Sequence, residues 1–192
     1  MIRMSVKADL AAVRGELRRI DRGLRERAIA NALNRTGEMA KTAAARDITT
    51  AFNLQAQYVK GRIKIRRASA RSGVLEVTLS SPGKRSANLI RYAERRVTLA
   101  THRRRKRQGT QGVYVKIRRA GSYQLVKGAF IGNQGRTVFR RIGKERLPIE
   151  ALQAIDVPQA MFSDIGVANL KRAVATIFPK RLAHEIQRLI RR

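Results

Sequence analysis

Residues 127 to 158, KGAFIGNQGRTVFRRIGKERLPIEALQAIDVP, leave the backbone few choices. Ala129, Phe130 and Ile131 form one apolar run and Thr137, Val138 and Phe139 a second. Gly132, Asn133 and Gly135 lie between them, so the segment reads as a β-hairpin. Leu147-Pro148-Ile149 then holds the chain extended, because a proline ring excludes the preceding residue from the helical region. Pro158 follows Val157 at a first helical position, where a missing amide hydrogen costs nothing, and this predicts the start of C-terminal helices.

Upstream, Leu10, Val13, Leu17, Ile20 and Leu24 recur at spacings of three and four, which predicts one face of a helix. The pattern continues to about Ala45, with Gly23 and Gly37 as candidate break points. Asn53 is a candidate N-cap for a short helix closed by Gly61. Ile63 to Arg66 and Val74 to Leu79 alternate with period two, as half-buried strands do, and Ser80 to Gly83 turns the chain. Leu89 to Val97 fits either a strand or one helical turn. Val113 to Ile117 and Tyr123 to Val126 predict two more paired strands. Tyr114 and Phe130 are read as core residues, since no paired-aromatic platform for bases is present.

After Pro158 an apolar helical face runs from Ala160 through Leu170 and Val174 to Phe178, and Pro179 is expected to interrupt it. Leu182, Ile186, Leu189 and Ile190 resume the stripe. The expected architecture is therefore α+β and a single domain over 1–192. It comprises a helical part (1–61) with a long N-terminal helix and a β-rich part (62–149), a small antiparallel or mixed sheet of about five to six strands. Basic C-terminal helices (158–192) pack on that sheet.

Charge demands a partner, a nucleic acid, an acidic protein lumen or an anionic membrane, without identifying which. The chain carries 43 Lys and Arg against 13 Asp and Glu, a formal net charge of +30. Such a chain repels itself and attracts polyanions. The densest run is Arg103, Arg104, Arg105, Lys106 and Arg107, inside a loop spanning 101–112 that is too charged to enter a core. It reads either as a solvated loop or as a polycation that neutralises phosphates without reading sequence. There is no cysteine, which excludes disulfides. The first residues lack a signal-peptide core, and no run approaches the ~20 apolar residues of a transmembrane helix.

Reactive groups are sparse. His102 and His184 are the two histidines, far apart and outside any metal-ligand spacing. Glu145, Glu150, Asp156 and Asp164 read as partners for surplus arginines, and no glycine pattern matches a phosphate loop. Neither an enzyme nor a cofactor is expected.

The ordering of GAFI, a basic strand ending in Arg140 and Arg141, the Leu147-Pro148-Ile149 segment and a proline before a long basic helix resembles the minor tail protein Z family of lambda-like, long-tailed bacteriophages. The likeness extends to Arg103–Arg107 and to Ala32-Leu33-Asn34-Arg35. It implies a structural virion protein at the head-proximal end of the tail, made in the host cytoplasm, that completes the tail and joins it to the head. The implied partners are further copies in a ring of six, tail terminator and tail tube proteins, head-completion or connector proteins, and double-stranded DNA in the channel, with no membrane.

On that reading Arg103–Arg107, Arg118, Arg119, Arg140 and Arg141 face DNA or an acidic neighbour. Leu10, Val13, Leu17, Ile20, Leu24, Phe130, Ile131, Val138, Phe139, Leu182, Ile186 and Leu189 make core or subunit contacts. The alternative from composition alone is a cellular, sequence-independent nucleic-acid-binding protein of ribosomal or nucleoid type.

Overall fold

A computed structural model describes residues 2–7, 21–83, 86–94, 104–105, 107–109 and 112–190. The expected helix face at Leu10, Val13, Leu17 and Ile20 lies outside the described residues, as do Arg103 and Lys106. The class is α+β. Strand β1 (Ile2–Lys7) precedes helix α1 (Arg22–Ala51) and helix α2 (Ala56–Arg62). Strands β2 (Lys64–Arg66), β3 (Glu76–Ser81) and β4 (Ser86–Asn88) follow, then a 3-10 turn at Leu89–Tyr92. Next come β5 (Gly112–Val115), β6 (Gln124–Lys127), β7 (Ala129–Gly132), β8 (Thr137–Arg141), β9 (Ile149–Ala151) and β10 (Gln153–Ile155). Helices α3 (Val157–Met161) and α4 (Asp164–Ile190) end the order.

The strands do not form one sheet of five or six. Among the described residues they make four small antiparallel sheets, in the orders β1-β3-β2, β10-β4, β5-β6 and β7-β8-β9. Strand β1 was not anticipated, although Ile2, Met4 and Val6 alternate with Arg3, Ser5 and Lys7. It pairs along the whole of β3, from Ile2 opposite Ser81 to Lys7 opposite Glu76. The anticipated hairpin is present, with Phe130 opposite Phe139. Its turn puts Asn133, Gln134 and Gly135 at φ 50°, 54° and 82°, a left-handed path that glycine and asparagine accept most readily.

Helix α1 starts where Asp21, itself non-helical, accepts the amides of Gly23 and Leu24, so the expected helical run is interrupted at Asp21, beside the candidate break point Gly23, and it passes through Gly37 unbroken. Asn53 does not cap α2. Its amide donates to the Ile117 carbonyl and Phe52 bridges Arg118, which keeps the chain extended until Gln55 takes the cap position. The Leu89 region resolves as a helical turn, with the Asn88 side chain accepting the Ile90 amide.

Two apolar clusters hold the fold. One joins Ala40, Ala44 and Ile48 of α1 to Val59, Ile63, Leu79, Tyr92, Val138, Val157, Met161 and Leu170. The other joins Ile29, Ala32 and Leu33 of α1 to Val77, Phe178, Leu182 and Ile186. The early turns of α4 thus meet the late turns of α1 and the reverse, an antiparallel helix pair, while α3 packs against β3. Pro179 lies inside α4 and does not end it. Phe178 and Leu182 on either side are buried against α1. Their burial, at ~1.5–3 kcal/mol each, is large enough to offset the ~3 kcal/mol cost of a helical proline.

Gly37 is where α1 crosses β3. A Cβ on Gly37 would lie 2.6 Å from Cγ1 of Val77, whose side chain is fully buried. Gly37→Ala gains ~1 kcal/mol of helix propensity but loses ~1–3 kcal/mol to overpacking. The expected result is a net loss of stability, smaller in a Val77→Ala background. Denaturant titration of both pairs checks this, and a stabilised single mutant would show that helix and strand are not in contact there.

Candidate partner-binding surface

A buried carboxylate organises the surface around the 3-10 turn. Asp156 follows β10, caps α3 and is 1% exposed. Its Oδ1 accepts the Val157 amide and the Tyr58 hydroxyl, both at 2.8 Å. Its Oδ2 accepts Arg62 at 3.5 Å. Arg62 also donates from Nε to the Tyr58 hydroxyl at 3.3 Å. The Arg91 guanidinium stacks 4.5 Å from the Tyr58 ring centre, an attraction between a cation and the negative face of the ring. Next to Arg91, the buried Tyr92 donates to the Ile155 carbonyl at 2.8 Å.

Burial raises the pKa of both phenols, and the carboxylate of Asp156 adds to this by disfavouring a nearby phenolate, while at Tyr58 the hydrogen bond from Arg62 opposes the rise. Arg62 is raised as well, first by its hydrogen bond to Tyr58. Each group therefore holds the protonation state its hydrogen bond requires: Tyr58 and Tyr92 donate as neutral phenols, and Arg62 as a cation.

The described basic residues singled out from the sequence fall in three places, a short helical turn at Arg104, Arg105 and Arg107, the segment at Arg118 and Arg119, and the end of β8 at Arg140 and Arg141. Arg104 and Arg107 are exposed, in a short helical turn. Arg105 departs from the expectation of a free loop. Its side chain is 20% exposed, donates to Glu94 at 3.0 Å, and lies 3.9 Å over the Tyr114 ring. Arg118 is exposed beside the C-terminus of α1. Arg119 donates to the Thr49 carbonyl at 3.2 Å, where a cation suits the negative end of the helix. Arg140 pairs with Glu150 across the sheet at 2.6 Å, with both side chains largely solvated. Arg141 lies 5.0 Å from the Phe130 ring centre. An exposed pair such as Arg140–Glu150 contributes only ~0–1 kcal/mol, so a polyanion can compete for its arginine.

Among the apolar candidates, Val138, Leu182 and Ile186 are fully buried, and Phe130, Phe139 and Leu189 half-buried. Leu24 and Ile131 are instead 41% and 47% exposed, so within this chain they are surface. Sequence reasoning missed Tyr58 and Arg91 and assigned Asp156 only to loose pairing. It also gave no role to Asn34 or Asn88. Asn34 holds the backbone of Ala68 through both amide atoms, at 2.8 and 3.0 Å. Asn88 accepts the Val138 amide at 2.9 Å. The one available signal was an Asx-type residue before a proline-started helix, which marks Asp156 as a cap.

Among the described residues no three acidic, histidine or cysteine side chains gather as a metal site, and no helix is long and apolar enough to cross a membrane. In comparisons with known proteins, the family described as prophage minor tail protein Z matches residues 6–192. No curated protein and no solved structure matches.

Proposed function

Because the chain belongs to the prophage minor tail protein Z family over residues 6–192, we propose that it completes the head-proximal end of a phage tail and joins tail to head around the DNA channel. A phage minor tail protein is a component of the virion, and family membership is the observation that carries this reading. The finer placement draws on charge. A subunit with net charge +30 has to be balanced by polyanion in its assembly, and a passing genome supplies it.

In this role six copies form a ring bordering the channel, in contact with tail terminator, tail tube and connector proteins. Arg104 and Arg107, in one short helical turn, and Arg118, on a different segment, are exposed, an arrangement suited to sequence-independent phosphate contacts. The work is assembly and charge compensation, without catalysis.

Immunogold electron microscopy of phage particles tests the placement, with tails separated from heads so that neck epitopes are open. Gold confined to the head-proximal tail end is expected; gold elsewhere on the particle would refute the placement. The DNA contact has its own test. Replacing Arg104, Arg107 and Arg118 together with Gln should lower the slope of log affinity against log salt by about 0.9 for each phosphate no longer neutralised. An unchanged slope would remove these three from the DNA-facing set.

A further inference from the structure

The 3-10 turn and the β7–β8 turn border a cavity of about 520 Å³, within the usual size range of ligand sites. Its charged lining is Arg91, Glu94 and Arg136, and its apolar lining is Ile90, Ala93 and Ile131. Glu94 is already engaged by Arg105 at 3.0 Å. Arg91 and Arg136 have no carboxylate in ion-pair range among the described residues. Arg91 is nonetheless held in place by its stacking on Tyr58, whose hydroxyl is fixed by Asp156. Two available guanidinium groups thus flank an aliphatic floor, and Ile131 is 47% exposed there.

We infer that this cavity binds an acidic peptide segment of a different protein, with carboxylates on Arg91 and Arg136 and an aliphatic side chain over Ile90, Ala93 and Ile131. Guanidinium groups pair with carboxylates in a directed, two-pronged way, and the aliphatic floor gains only from a ligand that covers it. Duplex DNA offers phosphate without such a group, since its hydrophobic bases are stacked inside. The exposed segment Ile142 to Leu147 of a second copy suits the cavity poorly, since its one acid, Glu145, lies between Lys144 and Arg146, whatever contacts copies make elsewhere on their surfaces. The occupant is therefore an acidic neighbour. This goes beyond the placement at the tail end, and its test does not depend on where gold falls on the particle.

The test uses the full chain and two labelled peptides of equal charge, one alternating Glu and Leu, the other Glu and Ser, read by fluorescence anisotropy. Saturable binding of the Glu/Leu peptide is expected, with the Glu/Ser peptide clearly weaker. Arg136→Ala should weaken Glu/Leu binding about tenfold, the worth of one charge-assisted hydrogen bond. Ile131→Ser should weaken the Glu/Leu peptide and leave the Glu/Ser peptide unchanged. Both positions are exposed, so thermal melts of the variants are expected to match the parent. Equal affinity for the two peptides would reduce the site to general charge and overturn the inference, as would an Arg136→Ala variant that binds like the parent. Competition by a short DNA duplex, together with loss of duplex binding in Arg136→Ala, would assign the cavity to nucleic acid instead.

Discussion

Replacing Asp156 with alanine should lower the melting temperature by about 6–12 °C. The carboxylate is 1% exposed and accepts from the Val157 amide, the Tyr58 hydroxyl and Arg62. Its removal costs ~1 kcal/mol as a lost helix cap and about 2 kcal/mol for donors left without an acceptor. Together these are about 3 kcal/mol, and 1 kcal/mol moves the midpoint of a 150–250-residue domain by about 2–4 °C. Arg62 recovers part of its loss, because its side chain is 38% exposed and reaches water. Asp156→Asn keeps an acceptor for the cap and should fall between parent and alanine. Tyr58→Phe removes one hydrogen bond and should cost ~1 kcal/mol. A melting temperature within 2 °C of the parent for Asp156→Ala, as a rough threshold given that scale, would mean that the carboxylate is not the fastening point of these elements. Arg91 offers a local readout. When Tyr58 loses its anchor, the stacked guanidinium loses its orientation, and Glu/Leu peptide binding at the cavity should weaken in parallel.

Leu182→Ala should cost ~2–5 kcal/mol, the range for truncating a fully buried leucine. Leu182 is 0% exposed and packs in the cluster that joins the last third of α4 to the first half of α1. The same contacts carry α4 through Pro179, so the loss should not be uniform. Amide hydrogen exchange should speed up most from about Lys180 to Ile190, with the first half of α4 near Leu170 less affected, because Leu170 belongs to the other cluster. Uniform acceleration along the helix would show that α4 opens as one unit and that Pro179 marks no boundary. A loss below ~1 kcal/mol would show that the two helices are not packed as described.

Particular residues show how far local pattern reaches. The β7–β8 hairpin was legible because Gly132 to Gly135 and the apolar runs beside them sit within a dozen residues. The start of α3 at Val157-Pro158 was legible for the same reason, as was the pairing of β5 with β6. Strand β1 carried a legible alternation, but six residues of it gave no hint of their partner, β3, 69 to 79 positions away. Of the candidate site, the exposed arginines at 104, 107 and 118 were visible as charge runs. The engagement of Arg105 by Glu94 and Tyr114 was not, since a run of like residues does not reveal which of them has neighbours.

By itself the sequence determined the α+β class, most of the element types, the helix starts at caps and prolines, the net charge of +30 and the family. These follow from steric preferences and periodicities that act over a few residues, and from total charge, which needs no coordinates. The tertiary structure decided the division of the strands into four sheets, the contact that makes Gly37 necessary, and the continuation of α4 through Pro179. It also decided the meeting of Tyr58 with Asp156, 98 positions apart. Each of these depends on which distant surfaces become neighbours. That is set by the packing of the whole chain, because burial and hydrogen-bond satisfaction are gained only when both partners arrive at the same place.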